Sequence, residues 1–424
     1  MAIRCDVVVL GSGFAGLMSA RQLARFGYRV VLIERAGRIL AGASGHNEGW
    51  LHAGTYHAIS IQDRQQARIV AARCIAGYRR IRREFPDCVE PQQYPTVAVV
   101  RHESLAETLS RWDAAEVWCR PASGRGLTAL RREVSILDTE RAFLVADRGI
   151  DTTALGACLA HEFRRDGGSL LVATNAVADG DSALRLSGPM SAKVRYRFLV
   201  CATGFATRSA CASLGLAPPP IRLWRSHLAS LPRLAASSVF ALAPGEAAMV
   251  NHRERSVVGL NEDALLVTEP TFVPHRGTTV RLADAIRVRF PGADLRRAAI
   301  TACVKVDVLD THPARSLNLS TVPLAENAVC VLPGKMTEAP IAADMVADHV
   351  VGHLGPPNHR EMLRDTPAQG PEPVALDQGQ PLVTHDQSGP HDSPEERPLP
   401  GTNRAPRPGR TELSTWDRGA RHRR

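Results

Sequence analysis

The sequence predicts an α/β fold in which a parallel sheet, assembled from separate parts of the chain, is interleaved with a mixed α+β region. Three observations predict this arrangement. Unbroken apolar runs, typical of strands buried on both faces of a parallel sheet, occur at Val7–Leu10 and Val30–Ile33 and return near residues 200 and 330. Residues 209–320 alternate short strand patterns with one helix. Roughly the last seventy residues have no sustained apolar period, which favours a disordered tail.

The first apolar run breaks directly into a glycine-rich turn. Gly11 permits the tight turn, Gly13 lets the backbone approach a pyrophosphate, and Gly16 lets helix and strand pack closely. The helix that follows offers unpaired N–H groups and a positive dipole end to phosphates. Glu34, at the end of the second strand, can accept hydrogen bonds from a ribose diol. A glycine-rich turn that binds no ligand would not explain an acidic residue at this position. The residues predicted to bind a dinucleotide here are Gly11, Ser12, Gly13, Phe14, Ala15, Gly16, Glu34 and Arg35.

The segment after this βαβ unit is predicted to be a functional loop. Residues 36–60 are glycine-rich and polar, and they are too many for a plain connection. Apolar residues then recur at helical spacing over residues 62–84, and Pro86 ends that helix. A strand is predicted at residues 94–100 and a helix at residues 104–114.

A helix over residues 154–165 and strands at residues 169–174 and 193–201 return the chain to the nucleotide-binding domain. A last strand, Ala328–Leu332, and a closing helix, Ala339–Leu354, complete that domain. We expect this domain to comprise residues 1–85, 150–208 and 321–355, the substrate domain residues 86–149 and 209–320, and the disordered tail residues 356–424.

Composition limits the classes of function. The positive charges behind the net charge of +9 are almost all arginines, since only Lys193, Lys305 and Lys335 are lysines. No nucleic-acid-binding motif accompanies these arginines, so no nucleic acid is expected as a partner. No stretch is long and apolar enough for a membrane span. The nine scattered cysteines, without CxxC spacing, predict reduced thiols in a cytoplasmic protein, and no residue is assigned to a metal.

The loop at residues 43–56, Ala-Ser-Gly-His-Asn-Glu-Gly-Trp-Leu-His-Ala-Gly-Thr-Tyr, resembles the flavin-contacting loop of the D-amino acid oxidase-like (DAO) family of FAD-dependent oxidoreductases. It is most similar to the branch with L-2-hydroxyglutarate oxidases and glycerol-3-phosphate dehydrogenases. Residues 202–204 and 333–340 resemble two further cofactor-contacting turns of that family, in the right order along residues 1–352. The resemblance implies a Rossmann-like FAD-binding domain of DAO type. It adds as FAD-binding residues Ser44, Gly45, Asn47, Glu48, Gly49, Val177, Thr203, Gly204, Gly334, Lys335, Met336 and Thr337.

His52 is the first candidate for catalysis, because oxidising an alcohol or amine requires removal of an O–H or N–H proton and a histidine suits that task. Two alternatives stay open, covalent attachment of FAD through His52 and a purely structural role. Lys335, at the start of the last helix, is predicted to stabilise the negative charge of reduced flavin. Glu48 stands where the hydroxyglutarate oxidases commonly have serine. The substrate-binding candidates are Tyr56, Lys305 and Arg315.

These features predict an FAD-dependent oxidoreductase that oxidises a CH–OH or CH–NH bond of a small polar, anionic substrate by hydride transfer to the flavin. The His-Ala-Gly sequence at residues 52–54 favours a 2-hydroxy acid. The alternatives are an amine or amino acid oxidase of specialised metabolism, and a non-catalytic or tRNA-modifying flavoprotein. The electron acceptor, whether oxygen, a quinone or a protein, is left open.

Overall fold

The structure is a computed structural model, and it describes residues 2–92, 94–261, 264–309 and 317–357, which belong to one compact unit. The tail that was predicted to be disordered comprises residues 356–424, and from residue 358 onward it lies outside the described residues. The helices of the described part are α1 (Phe14–Phe26), α2 (His57–Ser60), α3 (Arg64–Glu84), α4 (Leu105–Ala114), α5 (Gly124–Glu133), α6 (Thr152–Arg165), α7 (Thr207–Ser213), α8 (Arg276–Arg289) and α9 (Ala339–Leu354).

A six-stranded sheet forms the centre of one half of the fold, and all its neighbouring strands are parallel except the antiparallel edge strand that contains Ser320. Its strands, in spatial order, are β20 (Ser320–Ala325), β21 (Ala328–Leu332), β13 (Phe198–Cys201), β2 (Val7–Leu10), β3 (Val30–Ile33) and β9 (Ser169–Leu171). The parallel sheet predicted from separate chain segments is therefore confirmed.

A four-stranded sheet covers one face of this central sheet. Its strands, in spatial order, are β1 (Ala2–Arg4), β12 (Ala192–Arg195), β11 (Ala183–Ser187) and β10 (Asn175–Ala178). Val8 and Val31 of the central sheet pack with Leu184 and Val194 of the small sheet. The opposite face of the central sheet packs on α1, α6 and α9, so its strands are buried on both sides.

A nine-stranded sheet carries the rest of the fold. Its strands, in spatial order, are β18 (Leu265–Val267), β14 (Ile221–Pro232), β17 (Arg255–Leu260), β16 (Ala247–Asn251), β15 (Val239–Ala241), β5 (Thr96–Arg101), β7 (Glu140–Val145) and β6 (Cys119–Pro121), with β19 (Ala299–Val308) paired to β14. One face packs on α8, and the other packs on Trp50, Tyr56 and Trp112. A short ribbon, β4 (Trp50–Leu51) and β8 (Arg148–Gly149), lies beside this second face.

One prediction about strands was wrong, and one strand was missed. Residues 193–201 were expected to form one strand, but β12 and β13 belong to different sheets, with a break at residues 196–197. The twelve-residue strand β14 was not predicted, because charged and polar residues interrupt its apolar pattern at Arg222, Arg225 and Ser226. No helix in the described part of the chain is long and apolar enough to cross a membrane.

Candidate active site

A cavity of about 650 Å³ lies over the carboxyl ends of the central parallel strands, where open α/β sheets bind their ligands. Most of the residues predicted to bind cofactor or substrate line it. They are Gly11, Gly13, Phe14, Ala15, Glu34, Arg35, Ser44, Asn47, Glu48, His52, Val177, Thr203, Gly204, Lys305, Gly334, Lys335 and Met336.

Six predicted residues of the described part do not line this cavity themselves but adjoin residues that do. They are Ser12, Gly16, Gly45, Gly49, Tyr56 and Thr337. Gly16 packs against the turn before it, since a Cβ there would lie 1.8 Å from the Gly11 carbonyl oxygen. Arg315 lies outside the described residues.

The turn from β2 into α1 lets the backbone approach the cavity closely. Gly11 has a φ of +94°, and a Cβ at this position would lie 2.6 Å from the Ala202 carbonyl oxygen. The Phe14 N–H, at the start of α1, donates to Ser44 Oγ at 3.1 Å. The first turn of α1 and the loop from residue 43 onward therefore meet directly.

The carboxylate of Glu34 is fixed by backbone and hydroxyl donors. Its Oε2 accepts from the Ser12 N–H at 2.9 Å and from Ser12 Oγ at 2.8 Å, and its Oε1 accepts from the Ala36 N–H at 2.8 Å. The side chain still lines the cavity. An acceptor held in this way is preorganised for a hydroxyl donor.

Four side chains of the segment from Asn47 to His52 line the cavity, and they are Asn47, Glu48, Trp50 and His52. Trp50 begins the short strand Trp50–Leu51, and His52 follows two positions later on the same side, as the period of two in extended backbone predicts. Asn47 holds the start of this segment, because its Nδ2 donates to the Ser44 carbonyl at 2.8 Å and its Oδ1 accepts from the Gly49 N–H at 2.7 Å. The segment therefore presents a carboxylate, an indole and an imidazole in a row.

His52 is buried, and its Nδ1 lies 3.7 Å from Oδ1 of the fully buried Asp147. Asp147 is itself held by the Ala53 N–H, which donates to Oδ1 at 2.9 Å, and by Thr55 Oγ1, which donates to Oδ2. Burial lowers the pKa of His52, and the charge of Lys335 lowers it further, while Asp147 opposes both effects. The imidazole is therefore neutral near pH 7 and can accept a proton.

The turn that follows β21 forms part of the cavity wall and is hydrogen-bonded to His52. The His52 N–H donates to Thr337 Oγ1 at 3.0 Å. Gly77 of α3 packs on the same turn, and a Cβ there would lie 1.8 Å from the Thr337 carbonyl oxygen. Lys335 Nζ lies 6.0 Å from the ring centre of Tyr56. Lys335 is thus brought close to His52 from a segment more than 280 residues away along the chain.

Lys305 faces the cavity, as predicted, but it is paired with a side chain of the protein. Its Nζ donates to Glu48 Oε1 at 2.9 Å. Burial would raise the pKa of Glu48, but Lys305, Lys335 and hydrogen bonds lower it to about 2. Glu48 is therefore ionised, and the cavity contains a formed ion pair.

Sequence reasoning missed Asp147 and Trp50. Asp147 follows a strand that had not been predicted, and only the pairing of Trp50–Leu51 with Arg148–Gly149 brings it beside His52. Trp50 stands in the recognised loop two positions before His52. In a strand this spacing places both side chains on the same face, and that signal could have identified Trp50. Among the described residues no group of three or more His, Cys, Asp or Glu side chains could hold a metal ion.

A sequence profile of the DAO family, described as FAD dependent oxidoreductase, matches residues 6–347. Among curated relatives, one component of the anaerobic glycerol-3-phosphate dehydrogenase from Escherichia coli K12 is 40% identical over 86 residues, which are 20% of this chain and 15% of the relative. Gamma-glutamylputrescine oxidoreductase from the same organism is 54% identical over 50 residues, or 12% of each chain. The matched stretches thus span less than a sixth of these relatives.

Solved structures are similar over most of the chain. An FAD-bound, dithionite-reduced L-alpha-glycerophosphate oxidase from Mycoplasma pneumoniae has a TM-score of 0.67 at 16% identity, covering 82% of this chain and 94% of that one. Glycine oxidase from Geobacillus kaustophilus has a TM-score of 0.64 at 18% identity, covering 82% and 95%. At these identities the likeness establishes a shared fold.

Proposed function

This chain belongs to the DAO family of FAD-dependent oxidoreductases, and from that premise we propose that it oxidises a CH–OH bond of a small anionic substrate, with a 2-hydroxy acid as the favoured class. One observation carries the proposal: a buried, neutral His52 on the cavity wall, with Nδ1 facing Asp147. A neutral imidazole with one nitrogen directed at a carboxylate has the other available to take a hydroxyl proton.

FAD fits the residues present. The left-handed Gly11 and the close Gly16 contact leave backbone, not side chains, at the phosphate end, and the fixed Glu34 acceptor suits a ribose. We assign the cofactor-binding role to those cavity-lining residues that were predicted to bind FAD, with Ser12, Gly16, Gly45, Gly49 and Thr337 supporting them; His52 and Lys305 are not among them. When bound, FAD supplies the hydride acceptor of the reaction.

His52 is proposed to take the hydroxyl proton of the substrate. Its lowered pKa keeps it unprotonated near pH 7, and Asp147 favours the tautomer with a proton on Nδ1. Covalent attachment of FAD through His52 is the alternative role. Acid precipitation separates the two roles, because flavin that remains wholly in the supernatant excludes the covalent link.

Lys335 is proposed to stabilise negative charge close to His52. Its charge lowers the pKa of both His52 and Glu48, so its electrostatic effect reaches both side chains. A cation at this place suits an anionic substrate group or the charge that reduction places on a flavin. The glycerophosphate oxidase and dehydrogenase among the similar proteins act on an anionic alcohol, as their names state, which supports the CH–OH assignment.

A second candidate substrate class is an amine or amino acid. The ionised carboxylate of Glu48 on the cavity wall favours it, because a carboxylate can accept a hydrogen bond from a substrate ammonium group. Two similar proteins, glycine oxidase and gamma-glutamylputrescine oxidoreductase, bear names of this class.

The test is anaerobic bleaching of the flavin absorbance by a panel of 2-hydroxy acids, amino acids and amines. We expect bleaching by at least one 2-hydroxy acid, and loss of bleaching in His52→Ala with the FAD content retained. Bleaching by amino acids or amines alone would establish the second candidate instead. A flavin spectrum that responds to none of them, in protein that retains RNA on purification, would contradict both.

A further inference from the structure

Glu48 and Lys305 form an ion pair inside the cavity. The Nζ–Oε1 distance is 2.9 Å, and both side chains are largely buried, with 15% of Lys305 and 24% of Glu48 exposed. A charge paired at this distance in a partly buried place attracts a second anion much less than a lone lysine would. The cation that the sequence suggested for a substrate carboxylate is therefore already neutralised by the protein.

The backbone at Glu48 is held from the nine-stranded sheet. The Glu48 carbonyl accepts a hydrogen bond from Nε2 of His252 at 3.0 Å, and Nδ1 of His252 lies 2.9 Å from Glu90 Oε1. His252 follows β16, and Glu90 is buried. The imidazole is thus fixed at both nitrogens, and it fixes the peptide after Glu48.

Gly49 completes this support. Its φ of +78° belongs to the left-handed region, and a Cβ there would lie 2.5 Å from His252 Cε1. The Gly49 N–H donates to Asn47 Oδ1 at 2.7 Å, so the Glu48–Gly49 peptide is hydrogen-bonded on both sides. Lys305 stands on β19 opposite Trp224 of β14, at the centre of a long antiparallel pair. The backbone that carries each member of the ion pair is therefore held in place by hydrogen bonds.

We propose that Glu48 is a specificity-determining residue: by neutralising Lys305 it restricts the site to substrates with one anionic group and disfavours a second anion. The proposal rests on the anionic substrate proposed above. A second carboxylate beside Lys305 would lie next to Glu48, and like charges at such a distance repel. Removal of the Glu48 charge would expose Lys305 to the ligand and invert this preference.

The experiment measures binding without turnover. FAD-loaded protein is titrated with acetate, with succinate and with monomethyl succinate, and the perturbation of the flavin absorbance gives each dissociation constant. Monomethyl succinate matches succinate in size but has one charge less. In the wild type we expect succinate to bind no more tightly than its monomethyl ester.

Glu48→Gln should tighten succinate binding at least about tenfold relative to the monomethyl ester, with little change for acetate. Glu48→Gln combined with Lys305→Met should lose that gain, because no cation remains to be exposed. Lys305→Met alone, with Glu48 unpaired, should weaken succinate below the wild type. This single variant gives an independent test in the event that Glu48→Gln does not retain FAD.

An unchanged ratio of succinate to monoester in Glu48→Gln, or a gain that survives in the double variant, overturns the proposal. Absence of any spectral response to all three ligands in all four proteins also overturns it. Failure of the proposed oxidation is a separate result. If no 2-hydroxy acid bleaches the flavin but the succinate ratio shifts as expected, the specificity role stands and the proposed reaction does not.

Discussion

The imidazole of His52 lies among groups with opposite effects on its charge. Burial and Lys335 favour the neutral ring, whereas Asp147, 3.7 Å from Nδ1, favours the charged one. The net effect is a lowered pKa, so these neighbours set the pH range in which His52 can accept a proton. Two predictions follow from this balance at the scale of single residues.

The first prediction concerns pH. A base must be unprotonated to act, and the pKa of His52 lies below 6.5. His52 can therefore accept a proton until the pH falls below its own pKa. We expect the acidic limb of kcat/KM to have its midpoint below pH 6.5, and Lys335→Met to move the midpoint upward because a charge that lowers the pKa is removed. Lys193→Met is the matched control, since Lys193 pairs with Asp179 at 2.9 Å on the four-stranded sheet. An equal shift in both variants contradicts the assignment.

The second prediction concerns Asp147. Asp147→Asn preserves size but removes the charge that favours a proton on Nδ1, so we expect kcat to fall about tenfold to hundredfold with the FAD content unchanged. Rates of anaerobic flavin reduction measure this directly. Asp294→Asn, at a partly exposed cap of a short 3-10 turn, serves as the control and should leave the rate unchanged. A fully active Asp147→Asn protein would show that Asp147 only holds the loop.

At the scale of elements, the turn from Lys335 to Glu338 joins the cavity to the helices behind it. Thr337 accepts a hydrogen bond from the His52 N–H, and Gly77 of α3 packs against the Thr337 carbonyl. Glu338, directly before α9, is fully buried, and neither of its carboxyl oxygens has a hydrogen-bond partner among the described residues. Two features therefore distinguish this turn, the missing Cβ of Gly77 on α3 and the buried carboxyl of Glu338.

Gly77→Ala tests the first feature. The added Cβ would lie 1.8 Å from a backbone oxygen, which cannot move as a side chain would, so α3 and the turn must separate. We expect a loss of about 1–3 kcal/mol in the free energy of unfolding and weaker FAD binding, measured by urea unfolding and by flavin retention. Gly352→Ala on α9 is the matched control, because a Cβ there meets nothing within 4 Å. An equally tolerated Gly77→Ala would contradict the close contact.

Glu338→Gln tests the second feature. Burial raises the pKa of Glu338 from 4.5 to about 7, so the folded protein binds this proton more tightly than the unfolded chain does. The resulting stabilisation is fully present below pH 4.5 and is lost as the pH rises through about 7. Between about pH 5.5 and pH 8.5 this loss amounts to about 2 kcal/mol.

Glutamine has no proton to lose, so the stability of Glu338→Gln relative to the wild type should increase by that amount over the same range. Urea unfolding of both proteins at the two pH values measures the difference. A difference that is independent of pH would show that the Glu338 carboxyl titrates alike in the folded and unfolded states.

At the scale of the whole molecule, the cavity is built from segments that are distant along the chain. The glycine turn, the loop with His52, the end of β13, Lys305 of β19 and the turn after β21 all line it. The ion pair of Lys305 and Glu48 and the contact of His252 with the Glu48 carbonyl tie the nine-stranded sheet to the loop beside the central sheet. We therefore expect the two sheets to unfold together.

Cofactor binding tests this coupling. FAD at a hundredfold excess over its dissociation constant should raise the free energy of unfolding by about 2.7 kcal/mol, and far-UV circular dichroism and tryptophan fluorescence should report the same transition. Trp112 and Trp224 lie on or against the nine-stranded sheet, so the fluorescence follows that part of the fold. A fluorescence transition that FAD leaves unmoved would show that the sheet unfolds independently.

Local patterns were enough to predict much of this fold and site. The strands β2, β3 and β21 and the helix α9 have the predicted boundaries, because each is a continuous pattern with clear turn residues at its ends. Strand β14 was missed because charged and polar residues interrupt its apolar pattern. The break after β12 was missed because β12 and β13 follow each other closely in the sequence but belong to different sheets. Gly11 and Gly13, where close backbone approach was predicted, both line the cavity.

The sequence by itself determined the family and the cofactor and predicted which loops would bind it, because a glycine turn, an acidic strand end and the His52 loop are local features of the sequence. Only the tertiary structure decided which charges meet. It brought Asp147 to His52, Lys335 to the same imidazole, and Glu48 to Lys305, across 95, 283 and 257 positions of the chain. Electrostatic effects depend on distance in space and on burial, and neither can be read from spacing along the sequence.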